Sequence, residues 1–258
     1  MHTTILPCAI AFLAFSVLDA RADTAVKCTF KALAACPKIG CSKPGSPLAV
    51  TNSQKRTTAI NGSPTAVTFK DLQALQDEVD KEFPNGGYRN LEAAARKTAL
   101  SGLKTAAGNF SEGDFIELVG FIAATKLPPH PNTGESVNCK LKDEASNDYH
   151  INITPDKNSD ETKGVVVEMI PQDPDRKNKD WNLDKLKRIQ AQQLPVKIQG
   201  RLFFDSEHQP NPTGNAGGNP RRFSVWEIHP LLSFYVCPSG SCTTSAGWKA
   251  LKDWNPSP

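Results

Sequence analysis

Between Asp114 and Val236, five apolar runs of strand length and one amphipathic helix follow one another in an order that few folds accommodate. DFIELVGFIAAT over 114–125, DYHINIT over 148–154 and GVVVEMI over 164–170 read as three strands, the last ended by Pro171. The period then changes in WNLDKLKRIQAQQ, from Trp181 to Gln193, where Leu183, Leu186 and Ile189 fall on one side and basic residues on the others. Residues 194–205 and 222–236 supply two more strands, separated by the loop EHQPNPTGNAGGNPR. A second long loop, KLPPHPNTGESVNCKLKDEAS, joins the first strand to the second.

Three strands, a helix and two strands, with long loops after the first and fourth strands, is the element order of the OB fold, a small Greek-key barrel. The predicted fold class is therefore α+β: a five-stranded OB-like β-barrel over 111–237, preceded by a small disulfide-linked helical region and followed by a tail over 238–258. Residues 23–66, rich in Cys, Pro, Gly, Ser and Thr, read as an irregular cysteine-containing segment. Residues 67–110 read as a helical hairpin. Thr68 and Asp71 form a capping-box pattern, and Leu72, Leu75, Val79 and Phe83 recur at helical spacing until PNGG stops the chain. The second helix is expected from Asn90 to Ala107, with Leu91, Ala95, Leu100 and Leu103 on its apolar face before Gly108.

The opening MHTTILPCAIAFLAFSVLDARADTA has a short apolar core from Ile5 to Leu18 and small residues at Ala20 and Ala22. It reads as a signal peptide over 1–22, with Cys8 leaving in the cleaved piece. No later segment approaches the roughly 20 apolar residues a membrane helix needs, so the mature chain is expected to have no transmembrane segment and to be periplasmic or secreted. Asp19 and Arg21 leave together, so the net charge stays near +3, which gives a strong nucleic-acid binder little support.

Six cysteines remain: Cys28, Cys36, Cys41, Cys139, Cys237 and Cys242. An even number in an exported chain favours disulfides, with fifteen pairings open. The loops CPKIGC and CPSGSC share one spacing, so local closure of Cys36 with Cys41 and Cys237 with Cys242 is expected, leaving Cys28 for Cys139. A four-cysteine zinc site built from the two loops is the rival, and it needs thiolates that an oxidising compartment removes.

Strand alternation gathers the chemistry. With Tyr149, Ile151 and Ile153 facing the barrel interior, Asp148, His150 and Asn152 face outward. Likewise Val196, Ile198, Leu202 and Phe204 go in while Arg201 and Asp205 go out, and Trp226 and Ile228 go in while Glu227 and His229 share the outer face, about 6–7 Å apart along the strand. OB-type neighbour relations then place His150, Glu168, Asp205, Glu227 and His229 on one surface. Imidazoles and carboxylates suit a divalent transition metal, with His150, Asp205 and His229 as the candidate ligands, and the same groups can activate water. The competing reading is a satisfied polar network that docks the N-terminal region on the barrel. No H-E-x-x-H, Gly-rich phosphate loop, nucleophile elbow or dinucleotide fingerprint is present.

Candidate ligand contacts are Arg201, His208, Arg221 and Arg222. A basic rim would add Lys177, Lys179, Lys185, Lys187 and Arg188, against the plainer reading of a solvated helix face. Phe203 and Trp181 are candidate base-stacking platforms, although aromatics at such positions are more often core. His130 in LPPHPNTGES is expected to be exposed.

The segments GFIAATKLPPHPNTGESVNC, NDYHINI, GVVVEMIPQ, GRLFFDSEH and RRFSVWEIHP together resemble a family of uncharacterised exported bacterial proteins that pair a cysteine-containing N-terminal segment with an OB-like domain. The resemblance covers most of the mature chain. It implies a periplasmic or secreted setting and supplies no activity. The function expected is an exported binding or interaction module, with nucleic acid, a glycan or an envelope protein as the partner classes. The alternative is a metal-dependent hydrolase, such as a phosphodiesterase or nuclease, built on His150, Asp205, Glu227 and His229.

Overall fold

Ser46 and Pro47 start a helix in the segment expected to be irregular. The Ser46 side chain accepts from the Ala49 backbone N–H at 3.2 Å, Pro47 occupies the first turn where its missing donor is harmless, and α1 runs Pro47–Lys55. The computed structural model describes residues 28–89, 91–124, 134–213, 221–243 and 246–255. The expected signal peptide, His130 and parts of both long loops lie outside the described residues.

After α1 come a short strand β1 (Thr65–Val67) and α2 (Phe69–Glu82), which has the expected capping box. Leu72, Leu75 and Val79 of α2 are buried in the main core. The expected second helix is shorter: α3 covers Ala93–Ala99 only, and the chain then forms a hairpin of β2 (Leu103–Thr105) and β3 (Gly108–Phe110). The break falls at Ser101–Gly102, where Gly102 takes φ +67, a left-handed turn that glycine adopts without steric penalty.

The barrel strands follow as β4 (Phe115–Ile122), β5 (Tyr149–Thr154) and β6 (Val165–Met169). The short helix α4 (Pro174–Lys177) and α5 (Leu183–Ala191) come next, then β7 (Val196–Phe204), β8 (Trp226–Val236) and β9 (Lys249–Ala250). β4 pairs with β5, β5 with β6, β6 with β8, β8 with β7 and β7 again with β4, closing a five-stranded mixed barrel. Only the β6–β8 contact is parallel within that ring. The neighbour relations expected from the element order are all present. Ile151, Ile153, Ile198, Leu202, Phe204, Trp226 and Ile228 fill the core, as strand alternation predicts, together with Ile116, Leu118 and Val167, whose facing the sequence left open.

The N-terminal segment is fastened across the barrel by three devices. Disulfides join Cys28 to Cys41 and Cys36 to Cys139, which corrects the expected Cys36–Cys41 and Cys28–Cys139 pairing. The reason is a close backbone approach: the Cys41 N–H donates to Ser136 O at 2.9 Å, and Gly40 lies so near that a Cβ there would stand 2.1 Å from Ser136 O. That contact turns the 36–41 loop toward 136–139 instead of onto itself. Asn52 of α1 then donates to Ile39 O and to the Ser136 hydroxyl, at 2.9 and 3.0 Å. Finally, the buried Arg96 guanidinium pairs with Glu112 at 3.2 Å and reaches the Gln54 side chain at 3.1 Å, linking α3, the barrel and α1. The third disulfide is the expected local one, Cys237–Cys242. With all six cysteines so paired, the four-cysteine zinc site has no thiolates.

Candidate functional site

Register brings the outward side chains together. His150 on β5 lies directly opposite Glu168 on β6, and Val167 lies opposite Ile228 in the parallel β6–β8 pair. One residue further along each strand, Glu168 and His229 therefore stand side by side. Phe203 opposite Glu227 ties β7 to the same surface.

These outward positions are not open. Asp148, Glu168, Glu227 and His229 are 3, 2, 4 and 1 % exposed, because α1 and the 134–147 segment cover this face. His150 Nε2 lies 3.1 Å from Glu168 Oε1 and 3.6 Å from Glu135 Oε1. His229 Nδ1 lies 2.9 Å from Glu168 Oε2, and its Nε2 lies 3.8 Å from Asp148 Oδ2. The other Asp148 oxygen accepts from Asn138 Nδ2 at 3.1 Å. Lys55, at the end of α1, brings its ammonium to 4.0 Å from Glu135 Oε2.

A second group adjoins the first through Glu227. Arg222, fully buried, donates to Glu227 Oε1 and to Asp205 Oδ2, the latter at 2.8 Å. Asp205 also meets His208 Nδ1 at 3.0 Å. Glu227 Oε2 reaches to 4.0 Å from His229 Nδ1, which joins the two halves. Asp205 thus enters the network through Arg222 and His208, while Asp148, Glu168 and His229 form the tighter trio.

Burial and the excess of carboxylates shape the protonation of the group. Burial, reinforced by Glu168 and Glu135, pushes the Asp148 carboxyl up to about 7 against the pull of His229 and His150. Burial and the nearby Asp205 hold the Glu227 carboxyl well above the usual carboxylate range, although Arg222 opposes them. For His150, burial disfavours the charge, but Glu168, Glu135 and Asp148 outweigh it and raise the imidazole to about 10. Burial opposes ionisation of Glu168 too, yet the two imidazoles beside it keep it well below the usual range. At Asp205, burial is outweighed by the His208 hydrogen bond and the Arg222 charge, so its carboxyl is also held low. Lys55 is raised in the same way, burial losing to the carboxylates of Glu135, Glu168, Asp205 and Glu227.

The remaining sequence-derived candidates scatter. Arg201 Nη1 donates to Ala59 O at 2.7 Å. Arg221 is half exposed and pairs with Asp160 and Glu161 at 3.5 and 3.8 Å. Arg222 serves the interior. Lys185 of the basic helix binds Leu251 O and Lys252 O, so that face is partly spent on holding the C-terminal segment. Phe203 and Trp181 are each 3 % exposed and are packing residues, not stacking platforms; the Phe203 ring lies 5.4 Å from that of His229.

Sequence reasoning left Lys55, Glu135 and Asn138 out of the site, since none sits in a strand pattern. Asp148 had a signal: in D-Y-H it shares an outer face with His150 by alternation. No protein-family model, curated protein or solved structure matches the chain.

Proposed function

We propose that the chain is an exported, disulfide-stabilised binding module with an OB-type barrel, acting in the periplasm or outside the cell. The observation that carries this reading is the closure of the polar barrel face: Lys55 and Glu135 roof a cluster whose central carboxylates and His229 are almost entirely excluded from solvent. A hydrolase needs an approach for substrate to its acid–base groups, and the roofed cluster favours recognition over hydrolysis. The disulfides accord with export. No helix among the described residues is long and apolar enough to cross a membrane.

OB-type barrels commonly use the face of their second and third strands with the flanking loops. In this chain the cap occupies the His150 end of that face, so ligand contact moves to the edge beside residues 206–213, where His208 and Arg221 are half exposed. The test is retention of oligonucleotides, glycans and envelope extracts on the immobilised mature protein at low salt. Retention of one class, weakened in Arg221→Ala and His208→Ala proteins of unchanged circular dichroism, is expected. Failure to retain any class overturns the reading. If the retained ligand is a nucleic acid, binding should also fall steeply with added salt.

A further inference from the structure

We propose that Asp148, Glu168 and His229 form a binding site for one divalent transition metal ion, with His150 and Asn138 holding the two carboxylates in place. Each of the three residues offers one ligand atom, and those atoms lie within 4.8 Å of one another. Two carboxylate oxygens and an imidazole nitrogen are the donor set of zinc, manganese and iron(II) sites. This inference stands apart from the binding reading and survives or fails without it.

The contact between Glu168 and His229 is the central observation. Glu168 Oε2 and His229 Nδ1 form a buried ion-pair contact at 2.9 Å that lacks hydrogen-bond geometry, and His229 Nε2 has no hydrogen-bond partner. All three atoms are buried. A buried polar atom left without a hydrogen bond is costly, so the poorly aligned Glu168–His229 contact and the unbonded His229 Nε2 require an account. Donors bound to a common ion at about 2.0–2.2 Å stand about 3.0–3.5 Å apart in right-angled to tetrahedral arrangements. A close nitrogen–oxygen approach without hydrogen-bond geometry is what converging ligands give.

The surrounding contacts point the same way. Asn138 Nδ2 occupies Asp148 Oδ1 at 3.1 Å, leaving Oδ2 3.8 Å from His229 Nε2; because Glu168 meets the other ring nitrogen, an ion held by all three takes one nitrogen and the opposite carboxylate turns toward it. His150 Nε2 stands 3.1 Å from Glu168 Oε1, leaving Oε2 facing His229. Each carboxylate has one oxygen engaged by a neighbour and the other directed into the trio, the division of labour that fixes ligand orientation in metal sites. The cluster is rich in carboxylates: Glu135, Asp148, Glu168, Asp205 and Glu227 gather around Lys55 and Arg222, with Arg56 acting on Asp148. The ligand set differs from the one the sequence suggests, because Asp205 is committed to Arg222 and His208 while Asp148 and Glu168 both adjoin His229.

The experiment uses the untagged, oxidised mature protein, stripped of metal and titrated with zinc alone, then with cobalt(II) alone. One equivalent of zinc per chain by elemental analysis, a raised melting temperature on zinc addition and a visible cobalt absorption band are expected. Asp148→Asn and Glu168→Gln preserve side-chain shape, and each should weaken zinc binding at least tenfold. His150→Ala, acting through Glu168, should weaken it 10–100-fold. Should a variant fail to fold, the zinc-dependent melting shift of the wild-type protein decides alone. Zinc content well below one equivalent with an unchanged melting temperature overturns the site, as does equal zinc affinity in folded Asp148→Asn and Glu168→Gln proteins.

Discussion

Arg222 Nη2 lies 2.8 Å from Asp205 Oδ2, and the same guanidinium holds Glu227, in an interior where the arginine has no solvent exposure. Such a pair is a weak source of net stability when intact, because desolvation offsets attraction, but breaking it strands charge in the interior. Arg222→Met should therefore destabilise the fold by about 3–5 kcal/mol. Adding Asp205→Asn and Glu227→Gln should return part of that loss. Urea unfolding measures both. A loss below about 1 kcal/mol for Arg222→Met would mean that water relieves the stranded carboxylates.

His208 titrates at the half-exposed end of this network. Its hydrogen bond to Asp205 raises its pKa above the ordinary 6.5, with burial opposing. A raised folded-state value makes the contribution full below about 6.5 and lost as pH climbs through the higher folded value. Solvent screening limits it to about 0.2–1 kcal/mol. The wild-type melting temperature should accordingly fall relative to that of His208→Gln as pH rises from 6 through the folded-state value. Parallel curves for the two proteins would refute the coupling.

Much of the barrel was legible from sequence because its signals are local and periodic. Alternation in Tyr149–Thr154 and β8 placed Ile151, Ile153, Trp226 and Ile228 inside, and the three-strand, helix, two-strand order supplied the neighbours. What was illegible depends on contacts between segments far apart in the chain. Cys36 meets Cys139 across 103 residues because Gly40 packs on Ser136, and spacing within CPKIGC carries no trace of that. Lys55 and Glu135 reach the site only because the cap is folded over it. The Ser46–Pro47 helix start, by contrast, was a readable signal masked by the polar composition around it. Gly102, one residue before β2, is a stop signal that an Ala- and Leu-containing pattern conceals.

Asp71 does two jobs. One oxygen closes the α2 capping box by accepting from the Thr68 backbone N–H at 2.8 Å, and the other accepts from the Ala107 N–H at 3.0 Å, fixing the β2–β3 hairpin to the helix start. Burial opposes its ionisation, but the Thr68 and Ala107 hydrogen bonds prevail and lower its pKa. Its contribution is present above about 3.9 and lost as pH falls through the depressed folded value. Asp71→Ala should destabilise by about 1–2 kcal/mol at neutral pH. Amide exchange should quicken at Ala107 as well as in the first turn of α2. Faster exchange confined to the helix would show that the hairpin is held by packing alone.

The disulfides should differ in weight according to the chain they enclose. Cys36 and Cys139 are separated by 103 residues, Cys237 and Cys242 by 5. In the chain-entropy account the longer closure removes more freedom from the unfolded state, by about 2 kcal/mol or more between these two. Cys36→Ser with Cys139→Ser should cost about 2–5 kcal/mol, and it should also free the cap that carries Lys55. Protease cleavage between α1 and β1 should then precede global unfolding, whereas the Cys237→Ser, Cys242→Ser protein should keep that segment protected. Calorimetry and limited proteolysis on the two double variants separate the effects. A larger melting-temperature drop for the short loop, with the cap intact in both, would show that α1 is held by Asn52 and Arg96 without help from the long-range bridge.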